Sequence, residues 1–308
     1  MRVRGFRKPY RTLAIGAAAA GLLSTGCGQQ YVLLHPAGPV GQRELHLMVL
    51  ASVAMAIVIV IVFALYFYAV VRFRDKPGNT APYRPEWHTN KSLEALWWIL
   101  PAVLLTVIAI PTVQATYALD RVPKSKDPIV VDVTSLTWKW LFEYPGQHIA
   151  TVNYLEIPTG QPVMFELTAD SPMNTFWIPQ LGGMEYTMPN RVLPLWLEAK
   201  KPGNYWGDSG QYSGTGFEKM FFKVKAVSPS AFAVWAKSVH LTAAAMTSRD
   251  YQRLLQHDTM GPVSYGSYPK DTFPTVASGF TLTGQGMYMT MHDQKGRIVY
   301  MPMTSSQP

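Results

Sequence analysis

Residues 45–71 are apolar almost without interruption, and residues 93–117 form a second such run. Each is long enough and poor enough in charge to cross a bilayer as a helix, so the pattern predicts a transmembrane hairpin. Pro101 and Pro111 fall inside the second run, where each removes a backbone hydrogen bond and predicts a kink. Ser92 stands as a candidate N-cap just before it. After the polar linker "RVPKSKDP" the period changes. "IVVDVTSLTWKWLFEY", "ATVNYLEI", "PVMFELTA", "VLPLWLEA" and "KMFFKVKAV" are short runs rich in Val, Phe, Trp and Tyr, parted by Gly, Pro, Asn and Asp. They predict an all-β sandwich of roughly a hundred residues. "SPSAFAVWAKSVHL" and "SRDYQRLLQH" then predict two short helices within 228–257, each with a Ser near its start. Residues 258–308, rich in Gly, Pro, Thr and Tyr, are expected to be a partly ordered tail.

The net charge of +8 changes meaning once it is placed along the chain. Arg2, Arg4, Arg7, Lys8 and Arg11 crowd the start, and Arg72, Arg74, Lys76, Arg84 and Lys91 lie in the segment 72–92 between the spans. From Tyr117 onward, 16 Lys+Arg face 15 Asp+Glu, so there is no basic patch and nucleic acid is not an expected partner. Five basic residues between the spans, against Arg43 alone in 28–45, put that loop in the cytoplasm. The N-terminal segment 27–44 and the sandwich are then exterior.

A basic head, the apolar run "TLAIGAAAAGLLST" and Gly26-Cys27 form an export signal over residues 1–26. "LLSTGC" resembles the lipobox of bacterial lipoproteins, in which cleavage leaves the cysteine lipidated. Ser24 stands where that motif usually has leucine. Cys27 is the single cysteine, which rules out disulfides within the chain and makes it the candidate lipid anchor.

Taken together, these features resemble subunit II of the haem-copper oxidases. "KSLEALWWILP" matches the motif that opens the second helix, with Glu94 and Pro101 in place. "TWKWLFEYP" matches the aromatic segment of Trp138, Trp140 and Tyr144. "NTFWIPQLG" and "SGQYSGTGFEKM" match the two segments that carry copper ligands in cytochrome c oxidases. The resemblance implies a cupredoxin-like sandwich over residues 118–227. A dinuclear copper centre takes two bridging thiolates, two imidazoles, a thioether and a backbone carbonyl. At those places this chain has Ser209 and Ser213, Asn174 and Phe217, Met220 and Gln211. It therefore resembles the quinol-oxidase branch, the cytochrome bo type, which lacks that centre; "YSGTG" matches the branch's form of the loop.

The resemblance implies no redox metal and no catalytic centre in this chain, with haems and copper in subunit I. The implied partners are subunit I, the other oxidase subunits, membrane lipid and the quinol used by the complex, and not cytochrome c. The implied place is the bacterial plasma membrane, with the sandwich on its periplasmic side. Glu94 has two readings, a helix-start acid favoured by the dipole or a proton-loading carboxylate. The resemblance implies the second, at the mouth of a proton pathway into subunit I. Trp138 and Trp140 either pack one strand face or meet subunit I. Outside the family pattern, Met287, Met289 and Met291 alternate along one expected strand, near His292, Met301 and Met303. Thioethers and imidazole suit Cu(I), so a membrane-anchored copper-binding or copper-delivery lipoprotein is the alternative function. A Met-lined hairpin that packs on a neighbour is the plainer reading.

Overall fold

The structure, a computed structural model, describes residues 31–82, 85–119, 122, 127–170, 173–270, 272–273, 280–283, 286–292 and 298–302. The export signal, Cys27 and Met303 lie outside the described residues.

Both long apolar runs are helices, α1 Pro39–Arg72 and α2 Lys91–Leu119. At 1.5 Å per residue, 34 and 29 residues exceed the roughly 30 Å of hydrocarbon. Almost none of either apolar window is buried in the protein, as expected where lipid is the solvent. Both helices outrun their apolar segments. Pro39 supplies a preset φ at the first turn of α1. The cap of α2 is Asn90 rather than Ser92: its Oδ1 accepts from the Ser92 and Leu93 amides, each at 3.1 Å.

The part after the helices is a two-sheet sandwich. Strands β1 Ile129–Leu136, β2 Lys139–Tyr144, β3 Ile149–Val152, β5 Val163–Ala169, β8 Leu193–Leu197 and β11 Val263–Tyr265 form one sheet, in the order β11-β3-β2-β1-β5-β8. Strands β4 Tyr154–Pro158, β6 Asn174–Trp177, β7 Glu185–Thr187, β9 Gly203–Ser209 and β10 Phe221–Val227 form the other, in the order β4-β10-β9-β6-β7. The first aromatic run folds as the β1–β2 hairpin, turning at Thr137 and Trp138. "ATVNYLEI" is split between the sheets at Asn153, whose φ of 56° turns the corner. Its Oδ1 accepts from the Trp140 amide at 2.8 Å, and its Nδ2 donates to Met260 O at 2.6 Å.

Trp140, Phe142 and Tyr144 alternate on the inner face of β2 and are fully buried. Phe176 lies at the centre, stacked on Phe222 at 5.2 Å and near Trp140 at 5.5 Å and Phe165 at 5.0 Å. Gly207 makes room for this cluster, because a Cβ there would lie 2.0 Å from the Phe222 ring. The outer face of the six-stranded sheet is covered by α4 Ser248–Leu254 and the chain that follows, whereas α3 Pro229–Thr242 sets Phe232, Ala236 and Val239 into the inner core beside Tyr144. Ser228 caps α3, and Thr247 forms a capping box with Asp250 on α4. Buried Lys139 ties this cover down, donating to Gln256 O at 2.7 Å and pairing with Asp258. The tail is more regular than expected: β11 joins the main sheet, and β12 Phe280–Thr283, β13 Gly286–His292 and β14 Ile298–Pro302 form a separate three-stranded sheet.

Helices and sandwich meet at two places. The Ala37 amide donates to Gln180 O at 2.7 Å, the Gly41 amide to Leu181 O at 2.9 Å and the Lys200 amide to Ala37 O at 2.9 Å. At the other helix end, Trp196 Nε1 donates to Leu119 O at 2.5 Å. The start of α1 and the end of α2 therefore lie on the sandwich side, and the loop between the helices lies at the far end.

Candidate functional site

The loop after β9 gathers most of the residues singled out in the sequence. Ser209 Oγ is 3.2 Å from both Asn174 Oδ1 and Gln211 O, and its one proton can serve either. The Gln211 amide donates back to Ser209 Oγ at 3.4 Å, and the Gly210 amide donates to Thr175 Oγ1 at 2.6 Å. Ser213 Oγ approaches Met220 Sδ at 4.0 Å, and Met220 is buried. Phe217 opens a 3₁₀ turn, Phe217–Lys219, and packs edge-on to Tyr212 at 5.7 Å. Asn174, Ser209 and Gln211 thus form one hydrogen-bonded group and Ser213 with Met220 a second, while Phe217 packs as a ring.

Copper(I) and mixed-valence copper favour thiolate, thioether and imidazole donors. Of these six residues only Met220 offers sulfur, and none offers imidazole or thiolate. The hydroxyl and amide oxygens are neutral and already hydrogen-bonded to one another. The donor set does not fit a dinuclear copper centre.

The aromatic segment holds this loop. Trp138 sits in the left-handed region, with φ 64°, which is costly for a bulky side chain. Its Nε1 donates to Ser213 O at 3.2 Å, and its ring fills space left by Gly216, where a Cβ would lie 2.3 Å away. Trp140 Nε1 donates to Met220 O at 3.4 Å. Tyr144 OH donates to Glu156 O and accepts from the Glu156 amide, both at 3.1 Å. Trp140 and Tyr144 have no exposed surface to offer a partner, because alternation points both rings into the core; only Trp138 is partly exposed.

Glu94 is exposed in the first turn of α2, at the helix end remote from the sandwich. It lines a cavity of about 350 Å³ with Trp87, His88, Asn90 and Trp97. Met287, Met289 and Met291 take alternate positions on β13, Met289 pairs with Met301 of β14, and His292 pairs with Ile298.

Sequence reasoning missed a row of acids across the outer face of the six-stranded sheet. Asp132 on β1 pairs with Glu143 on β2 and with Glu166 on β5. Glu143 is fully buried; Thr272 Oγ1 donates to its Oε1, and its Oε2 has no partner among the described residues. Burial pushes the Glu143 and Glu166 carboxyls up to about 7. Asp132 is raised well above its ordinary range, by burial first and then by Glu166 and Glu143. Only the strand register brings the three together, so no local pattern signals them.

Residues 36–115 match the family "Cytochrome C oxidase subunit II, transmembrane domain". The class of protein is thus a haem-copper oxidase subunit II, a membrane helix pair that carries a cupredoxin-like sandwich. The chain is 42% identical to quinol oxidase subunit 2 of Bacillus cereus over 246 residues, 79% of this chain and 84% of that one. It is 37% identical to ubiquinol oxidase subunit 2 of Acetobacter aceti over 286 residues, 91% of each. To cytochrome bo(3) ubiquinol oxidase subunit 2 of Pseudomonas aeruginosa it is 36% identical over 262 residues, 84% of this chain and 78% of that one. The chain belongs to the quinol oxidase subunit 2 family.

Proposed function

We propose that this chain is the non-metallated subunit II of a proton-translocating quinol oxidase, which couples quinol oxidation to reduction of oxygen to water. The observation that carries this reading is the loop chemistry: Ser209, Asn174 and Gln211 satisfy one another by hydrogen bonds where a copper relay needs thiolates and imidazoles. A water-soluble one-electron donor needs an exterior relay. Quinol dissolves in the membrane and delivers electrons to a haem in subunit I, so the sandwich can do without one. Haems and copper then belong to subunit I. The complex purified with this subunit is expected to oxidise quinol and not reduced cytochrome c, with no copper in this chain. Near-infrared copper absorption from this subunit would overturn the reading.

The five basic residues between the helices favour a cytoplasmic loop and a periplasmic sandwich. Two joined helix ends on the sandwich side fit that arrangement. Cys27, at the end of the export signal, is the proposed lipid anchor of the mature N-terminus.

Glu94, at the cytoplasmic helix end, is proposed as the proton-entry carboxylate lent to subunit I. Its exposure and its place in a water-accessible cavity support that role. Glu94→Gln is expected to slow oxidase turnover about tenfold or more, in the range of a lost proton-transfer group, while subunit assembly stays intact. Turnover equal to the parent would return Glu94 to a simple helix-start acid.

A further inference from the structure

The chain leaves α1 through a folded corner. Asn79 closes it: Nδ2 donates to the carbonyls of Arg72 at 3.3 Å and Arg74 at 3.0 Å, and Oδ1 accepts from the Ala81 amide at 2.9 Å. Gly78, with φ 84°, makes the turn at a conformation other residues rarely adopt. The corner encloses a cavity of about 530 Å³. Its lining includes the cations Arg72, Arg74 and Lys76 and the aromatic rings of Phe67 and Tyr68. Among the described residues none of the three cations is ion-paired, Asp75 included as a partner. Phe67 and Tyr68 are 59% and 62% exposed, so ring surface faces outward directly beside unpaired positive charge.

The apolar run of α1 ends at Val71, so this cavity straddles the edge of the hydrocarbon. Its cationic and aromatic lining residues suit the two halves of an amphiphile. We propose that the corner binds one anionic glycerophospholipid. Arg72, Arg74 and Lys76 take its phosphate by charge-assisted hydrogen bonds, and the acyl-glycerol part lies on Phe67 and Tyr68. A zwitterionic lipid would set its own cation beside three others. Inorganic phosphate would leave Phe67 and Tyr68 unused. The proposal depends on membrane insertion of α1 and not on the electron donor.

The test uses the full-length chain, purified from its membrane with the subunits it carries and placed in nanodiscs of equal parts phosphatidylglycerol and phosphatidylcholine. Native mass spectrometry then counts retained lipid. Retention of one phosphatidylglycerol and no phosphatidylcholine is expected. R74Q/K76Q changes two exposed loop residues outside the helix and is expected to lower that retention about tenfold or more. K91Q removes a charge at the start of α2, outside the cavity, and is expected to leave retention unchanged. Equal retention of the two lipids, undiminished retention in R74Q/K76Q, or an equal loss in K91Q would overturn the proposal. Displacement of the lipid by millimolar inorganic phosphate would mark a free-anion site and overturn it as well.

Discussion

Trp140→Ala is expected to lower the unfolding free energy by about 3–5 kcal/mol, the cost of emptying a large aromatic site in a packed core. Trp140 is fully buried, and its ring meets Phe176 at 5.5 Å and Phe222 at 5.6 Å. Those two rings are stacked on each other, so neither can turn far into the hole. The substitution also removes the indole that donates to Met220 O, freeing one end of the loop after β9. Trp206→Ala provides the contrast. Trp206 is 51% exposed and packs mainly on Phe221 and Lys223, so a loss of about 1 kcal/mol or less is expected. Urea titration of the full-length chain, followed by tryptophan fluorescence, measures both. A Trp140→Ala chain within about 1 kcal/mol of the parent would contradict the packing described.

Glu143→Gln is expected to stabilise the protein at about pH 8 by about 3 kcal/mol, and to leave stability at about pH 4 nearly unchanged. The sign follows from a carboxyl whose folded value, about 7, is raised above the ordinary 4.5 by burial. At low pH it is protonated in both states. Between those two values the unfolded chain ionises while the folded one resists, so stability falls as pH rises. Above about 7 the full loss is in place. Glutamine fills the same space without titrating, and its Oε1 can keep the hydrogen bond from Thr272. Glu166 is raised in the same direction, also to about 7, so the variant retains part of the slope. Asp132, freed from one neighbouring negative charge, ionises more easily in the variant, which adds to the gain at high pH. Urea midpoints over that pH range decide the matter. Two curves that run parallel would show that ionisation of Glu143 does not govern this stability.

The membrane helices were legible because their signal is local: an unbroken apolar run needs no distant partner to be recognised. The cap at Asn90 was not, since Ser92 satisfies the same residue preference two places later and only geometry chooses between them. Strand-forming segments were legible as aromatic and β-branched runs, but their division was not. The hairpin turn at Trp138 carries no glycine, asparagine or proline to mark it. Its left-handed backbone is held from outside, by Ser213 O and the gap at Gly216. The Asn153 corner depends likewise on Met260, far along the chain. At the end of β9 and in the loop after it, Ser209, Gln211, Ser213, Phe217 and Met220 could be found from the resemblance to a copper loop, because that resemblance is a local pattern. How they divide into hydrogen-bonded groups required Asn174 to be brought across from β6. The acid row is the clearest case of information held by register: Asp132, Glu143 and Glu166 are unremarkable until three strands align.

The paired attachments between the helices and the sandwich have a mechanical consequence. A domain hung from a single tether can swivel about it. Here the stretch around Ala37 is stitched between Gln180 and Lys200, and Trp196 grips the last carbonyl of the second helix. At Gly38 the fit leaves no room for even a methyl group, since a Cβ would fall 2.2 Å from the Glu198 carbonyl. With two fixed points the rotational freedom of the sandwich about either one is lost. The sandwich is therefore a rigid handle on the helix pair: a push on one is felt as a tilt of the other.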